Sequence, residues 1–449
     1  MVSSPTPDGR QISKAQGRRP RTAPCAFFER LYVFLMVIYM AQMTPGAGRM
    51  VGRLSGDPVP LLVPIVMTLV LLVRHPVSFL HRRLWLFAGI MLGWTVAVCY
   101  KLHDFSSTHL SFYFFLFYAI FVAFIHVRVF GHELLRMYER IMVILSAVSL
   151  VLWGLAVLLP DSGSFLFRMF PQTSFGNNVL YLFNWMDPLK GQTYGSLIRN
   201  AGCSWEPGRF AIMLVAAIQV NLSRCGIRFR RNKSILCLLL ALATTVSTTG
   251  YSIVLLLYAL YSLRRRKLSS VLTFLFVVLP VSWYVFSFDF MGDKIRDRAD
   301  FNGLTREQME GLDYRAQEHG DEYVGSLDRF ESMYFEWLNY QNDPLLGYGR
   351  DNDNSWFRQD ITMNYALSGG LVKILSQYGI FVGVLLYAIL FYSSWRISRT
   401  CRYSQPLAVA IVLLLSSVSY PVFCIPVYTA FWLYGLFCRE ADEGAKVSG

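Results

Sequence analysis

The chain has 449 residues, of which 54% are hydrophobic, 15% aromatic and only 16% charged, with a formal net charge of +13 at pH 7. That composition is too apolar for a soluble globular chain of this length. The excess of Lys and Arg does not point to nucleic acid, because it gathers in short loops between apolar runs, where it reports orientation in a membrane.

Residues 1–25 are basic and rich in Ser, Pro and Gly, and no small-residue cleavage site follows an apolar stretch, so they read as a disordered cytoplasmic tail before an uncleaved first helix. Runs of roughly 20 apolar residues, each able to span a bilayer, are centred near Val37, Val66, Gly93, Phe117, Ser149, Val215, Leu240, Leu256, Phe276, Leu386, Leu413 and Ala430. They predict an all-α polytopic integral membrane protein of about twelve transmembrane helices, a single transmembrane domain over 26–438. The runs at Leu240 and Leu256, and those at Leu413 and Ala430, share turns and read as hairpins. Arg74, Arg82 and Arg83, then Arg128, Arg136 and Arg140, then Arg224 to Lys233, Arg264 to Lys267 and Arg396 to Arg402 all fall on the side of the tail. With both tails and Arg30, that side holds 26 of the 42 Lys and Arg. The positive-inside rule then makes it cytoplasmic, along with both termini and the 439–449 tail.

Two longer loops fall on the other side, at 161–208 and 289–365. The second carries 17 Asp and Glu against 8 Lys and Arg. Its aromatic content argues for an ordered loop, since disordered segments are poor in aromatics. Phe330, Tyr334 and Trp337 form a helical stripe, with Tyr340 on a flank. Asn342-Asp343-Pro344 ends that helix, and Gly347-Tyr348-Gly349 reads as a turn that brings backbone close to a ligand. No internal repeat is present, which weighs against an inverted-repeat transporter. Only Cys203 falls in an outer loop, so no disulfide framework is available. The seven His are scattered without metal-ligand spacing, and neither a metal nor another cofactor is expected.

The densest chemistry lies where the smaller loop enters the sixth span, from Arg199 through Cys203, Trp205, Glu206, Pro207 and Arg209 to Phe210. Pro207 suits the first turn of a helix, which sets Glu206 beside the positive helix end with Arg199 and Arg209 on either side. One reading makes Glu206 an interfacial ion pair that fixes the helix start. The other makes it a carboxylate beside a site for an anionic headgroup.

An Arg, a Gly and then an aromatic-Glu-Pro-Gly opening a membrane helix resemble the signature of the O-antigen ligase and polymerase superfamily. Ser247-Thr248-Thr249-Gly250-Tyr251 is similar to the Ser/Thr-Gly hairpin of its polymerases. Arg329 and Trp337, followed by Asp343-Pro344-Leu345-Leu346-Gly347-Tyr348-Gly349, resemble its large outer loop. Leu371 to Gly383 resembles the helix that re-enters the membrane after that loop. The resemblance covers about 199–395. Ligases of this superfamily carry His-Asn where this chain has Ser368-Gly369, which tilts the likeness toward a polymerase.

The resemblance implies a GT-C-like membrane glycosyltransferase in the bacterial cytoplasmic (inner) membrane. It would polymerise polyprenyl-diphosphate-linked oligosaccharide repeat units into O-antigen or exopolysaccharide at the outer face. Its partners would be that substrate, membrane lipid and a chain-length regulator protein. Arg199 and Arg329 would stabilise the leaving diphosphate, as the fork of Arg suits phosphate, and Glu206 would take the proton of the attacking hydroxyl. Arg209, Trp205, Gly347, Gly349, Arg350, Asn354 and Lys373 would bind substrate. A ligase that moves finished polymer to a lipid acceptor and a lipid-linked oligosaccharide flippase are the alternatives.

Overall fold

In the computed structural model, residues 23–42, 59–103, 105, 107–159, 165–173, 176–185, 198–226, 232–265, 329–349 and 370–438 are described. Outside them lie most of both tails, the span expected near Phe276, the acidic stretch before Arg329, and Arg350, Asn354 and Ser368.

The described chain is mostly helical. In order come α1 (Ala23–Gln42), α2 (Val59–Arg74), α3 (Arg82–Leu102), α4 (Ser107–Phe130) and α5 (Glu133–Leu158). A small antiparallel sheet follows, β1 (Gln172–Thr173), β2 (Gly176–Val179) and β3 (Phe183–Trp185), with Asn177 opposite Trp185. Then come α6 (Pro207–Cys225), α7 (Lys233–Thr245), α8 (Thr248–Arg265), α9 (Arg329–Asn342), α10 (Gly370–Cys401), α11 (Ala408–Ser417), α12 (Pro426–Trp432) and α13 (Tyr434–Phe437). Helices α3, α4, α5 and α10 contain stretches long and apolar enough to cross a membrane. Large side chains such as Leu86, Val96, Val151 and Phe381 stand exposed on them, which lipid accommodates and water would not.

Eleven of the twelve expected span centres fall in these helices. Contacts between helix ends follow an alternating up-and-down path. At one end, Glu29 of α1 meets His75 after α2 at 2.8 Å, Arg128 of α4 reaches the Phe437 carbonyl of α13, and Glu139 of α5 holds Arg224 of α6. Arg74, Arg82, Arg136, Arg399 and Arg402 belong to the same end, here called the basic end. At the other, Gln42 at the end of α1 donates to the Cys203 carbonyl before α6 at 2.6 Å, and Lys101 of α3 pairs with Asp343 after α9.

Helix α6 is the axis of the bundle. Every residue from Pro207 to Leu222 is buried, as a helix surrounded by other helices must be, and it packs on α5, α7, α8 and α11. Its extended N-cap residue is Glu206, and Pro207 takes the first-turn position where a missing N–H costs nothing.

Two elements depart from simple spans. Gly379 sits at φ 69°, ψ 178° inside α10, and the arms on either side fold against each other. The Tyr387 hydroxyl donates to the Leu371 carbonyl, a pair that a straight helix would hold about 24 Å apart along its axis. Only the arm over 380–401 is long enough to cross. Helices α11 and α12 have 10 and 7 residues, rises of about 15 and 10 Å, so the runs at Leu413 and Ala430 do not each form a straight crossing. They meet at the non-helical segment 418–425, whose Tyr420, Val422, Phe423, Cys424 and Ile425 are buried. Irregular backbone at membrane depth is tolerated where protein surrounds it.

Candidate functional site

The segment ahead of α6 is built in rather than draped over the surface. Ala201, Gly202, Cys203 and Ser204 are all buried. Asn184 of β3 accepts the chain into the sheet by donating its N–H to the Gly202 carbonyl at 2.8 Å, and Ser204 donates to the Ala41 carbonyl of α1 at 3.1 Å. Asn200 donates to Ser149 of α5 at 3.2 Å and to Thr244 of α7 at 2.9 Å. Burial pushes the Cys203 thiol up to about 12, so it remains a neutral packing group rather than a nucleophile.

Arg199 uses its fork on the end of α7, donating through Nε to Thr245 O at 3.0 Å and through Nη2 to Val246 O at 3.2 Å. Val246 is left-handed at φ 48°, ψ 50°, a costly place for a β-branched residue. The guanidinium supplies donors to carbonyls that the helix cannot satisfy itself and sits at the negative end of its dipole. Arg199 thus ties the first sequence motif to the second.

Glu206 accepts a hydrogen bond from the Tyr420 hydroxyl. Arg209 is 3% exposed; its Nη2 donates to Met40 O at 2.8 Å, while its Nη1 has no hydrogen-bond partner among the described residues. Its Cζ lies 5.8 Å from the Trp205 ring and 5.9 Å from the Tyr420 ring, within cation–π range. A buried cation with a spare donor, one turn from a carboxylate and flanked by two aromatic rings, is equipped to receive an anionic oxygen.

The third and fourth motifs interlock directly. The break at Gly379 frees two carbonyls and one N–H of α10, and the turn after α9 satisfies them. Tyr348 N donates to Ser376 O at 2.9 Å, Gly349 N to Gln377 O at 2.9 Å, and Ile380 N to Pro344 O at 2.7 Å. A Cβ on Gly379 would stand 2.1 Å from the Leu345 carbonyl oxygen, and one on Gly347 would stand 2.6 Å from two others. These two glycines bring backbone to backbone. Trp94 of α3 donates to Leu346 O at 2.9 Å and so holds the turn to the bundle.

Lys373 does not stand open for a phosphate. Its Nζ lies 3.3 Å from Oε1 of Glu336 on α9, whose Oε2 accepts from Ser376. Glu336 is 2% exposed. Arg329 opens α9, and only its backbone is described. In the aromatic stripe of α9, Tyr334 and Tyr340 are half-buried and Trp337 is 43% exposed, while Phe335, off the stripe, is fully buried.

The segment between α11 and α12, a hairpin turn by its sequence, joins the two halves of this arrangement. Tyr420 holds Glu206, Ser419 meets Thr249 of the second motif at 3.0 Å, and Gly370 at the start of α10 lies against Pro421. The signal in the sequence was Ser419-Tyr420-Pro421 interrupting an apolar run. Among the described residues, no three His, Cys, Asp or Glu side chains cluster closely enough to hold a metal ion.

No protein-family model and no curated protein matches this chain. What is known of the site therefore comes from its own residues. Among the expected site residues, Arg199, Trp205, Glu206 and Arg209 form one group around the start of α6. Gly347, Gly349 and Lys373 form a second around the Gly379 break, and the 418–425 segment lies between the groups.

Proposed function

We propose that the chain is a membrane glycosyltransferase that extends a polysaccharide by joining polyprenyl-diphosphate-linked oligosaccharide repeat units. On this reading it is a GT-C-like enzyme with the twelve-span plan expected from the sequence, its last two helices meeting inside the protein, in a bacterial inner membrane with both termini cytoplasmic. The observation that carries the reading is the convergence of the four family-like motifs. Segments spread over nearly 200 residues meet through Arg199, Tyr420 and the Gly379 break at the end opposite the basic one.

The chemistry follows from those groups. A sugar hydroxyl of one repeat unit attacks the anomeric carbon of another, the new C–O bond forms as the bond to diphosphate breaks, and the hydroxyl proton passes to Glu206. Arg209, with its unpartnered Nη1, and Arg329 at the start of α9 take up the charge on the departing diphosphate. Arg199, committed to the α7 carbonyls, acts by fixing the loop that presents Glu206. Trp205 offers an apolar wall, and Arg350 and Asn354 would meet sugar hydroxyls.

Purified protein in nanodiscs, given a polyprenyl-diphosphate repeat unit, is expected to produce carrier-linked glycans of two or more units, resolved by mass spectrometry. The breaks in α10 and between α11 and α12 favour a second reading, a lipid-linked oligosaccharide transporter, since discontinuous helices also build transport sites. In proteoliposomes that reading yields unchanged units on the far side of the bilayer, which would defeat the first.

A further inference from the structure

The β2–β3 hairpin makes its tight turn with the wrong residues for water. Leu180 and Tyr181 both have positive φ, 52° and 60°, and Leu182 N donates to Val179 O at 2.9 Å. This is the geometry that Asn-Gly ordinarily supplies, because side chains with a Cβ are disfavoured there. The turn is held from below: Tyr181 N donates to Oδ1 of Asn178 at 2.7 Å, and Nδ2 of Asn178 donates to Gln42 at the end of α1 at 3.2 Å. The strained pair is nonetheless pushed outward, Leu180 at 70% exposure.

Its height in the molecule says what covers it. Helix α5 leads away from the basic end, and with its apolar run centred near Ser149 a rise of about 1.5 Å per residue carries it out of the roughly 30 Å hydrocarbon layer near Leu159. In the turns just before that level Trp153 and Ala156 pack against Phe167, Phe183 and Trp185 of the sheet unit, so the unit stands at the margin of the lipid layer. Leu158, Phe165 and Met169 are each more than 70% exposed there, and exposed Arg168 places its guanidinium 6.0 Å from the Trp185 ring. Protruding apolar side chains with aromatics and a cation at the headgroup level mark an element that lies in the interface.

We infer that the β2–β3 hairpin is a membrane-interface anchor, with Leu180 and Tyr181 inserted among the lipids of the leaflet opposite the basic end and Arg168 directed to headgroup phosphate. The anchor would fix the height of the segment ahead of Glu206, to which β3 is tied by the bond from Asn184 N to Gly202 O, and it stands whatever reaction the site performs.

The test places an environment-sensitive fluorescent amino acid at position 180 of the full chain in nanodiscs of phosphatidylethanolamine and phosphatidylglycerol. Its emission is expected to shift to the blue, to be quenched by lipids brominated near the carbonyl end of the acyl chain, and to resist aqueous iodide. Quenching by iodide but not by bromolipid would overturn the proposal. Quenching by neither would also overturn it, since the tip would then be covered by protein. A second variant, Leu180→Asn with Tyr181→Gly, relaxes the turn and should fold. It is expected to gain less melting temperature than the natural chain on transfer from detergent to nanodiscs, and an equal gain would overturn the anchor.

Discussion

The two ends of the bundle are held together by different means. At the basic end the fastenings are side chains. Arg224 grips Glu139 with two bonds of 3.1 and 2.8 Å, Asn221 and Asn232 join the same cluster, and Tyr32 links His126 and Thr68. At the opposite end, beside side-chain bonds such as those of Arg199 and Asn200, backbone also meets backbone. The turn after α9 fills the hydrogen bonds that the Gly379 break leaves open, β3 pairs with the segment before α6, and Asn200 N donates to Thr244 O at 2.9 Å. Side-chain clamps tolerate substitution by any group that reaches and pairs. At Gly347 and Gly379 the apposition tolerates none that adds a Cβ, so it holds position more stiffly. The stiff end is the one that carries Glu206 and Arg209.

Gly379→Ala attacks the stiff end where it has least slack. The backbone there lies in a region essentially reserved for glycine, at a cost of about 1–3 kcal/mol for another residue, and the new methyl would collide with Leu345 O. A loss of more than about 3 kcal/mol is expected, read as a lowered melting temperature in detergent with new protease cleavage in the 343–349 turn. An unchanged melting temperature would show that the interlock contributes little.

Glu139→Gln probes the other end and should cost less, about 1–2 kcal/mol. Breaking a fully buried pair costs about 3–5 kcal/mol, but the Arg224 side chain is 41% exposed, so water can take over part of its charge. The amide still offers an acceptor to Asn221. A loss as large as that of Gly379→Ala would erase the contrast between the ends.

The same contrast explains what was legible beforehand. Helices and their alternation followed from apolar runs and from Arg and Lys in short loops, because hydrophobic length and charge bias are written residue by residue. Glu206 and Arg209 were visible as charges beside a Pro that opens a helix. The Gly379 break was not, since a glycine inside an apolar run reads equally well as tolerated helix. The short lengths of α11 and α12 were hidden because apolar composition continues across Val422 to Ile425 while the backbone does not stay helical. Glu336 looked like one acid among many in an acidic loop; its burial against Lys373 and Ser376 depends on a partner helix some 40 residues on. Tyr420 could be matched to Glu206 only once a separation of 214 residues had been folded away.

Tyr420→Phe is the mildest of these changes for the fold and the sharpest for the site. It removes one hydroxyl while keeping the ring that sits edge-on to Trp205 and faces Arg209, and Ser419 keeps its bond to Thr249. A loss of about 1 kcal/mol in stability is expected, the ordinary worth of a hydrogen bond. If Glu206 takes the proton of the attacking hydroxyl, Tyr420 acts as a positioning residue, because a base must be held within hydrogen-bond reach of its proton. Chain growth should then slow by about 10- to 100-fold with little change in the concentration of repeat unit needed for half-maximal rate. Adding Tyr420→Phe to Glu206→Gln should slow it no further, since a residue that works through another has nothing left to do once that one is gone. Full additivity of the two would place Tyr420 on the substrate instead, and normal growth in the single variant would remove the Tyr420 to Glu206 contact from the reaction altogether.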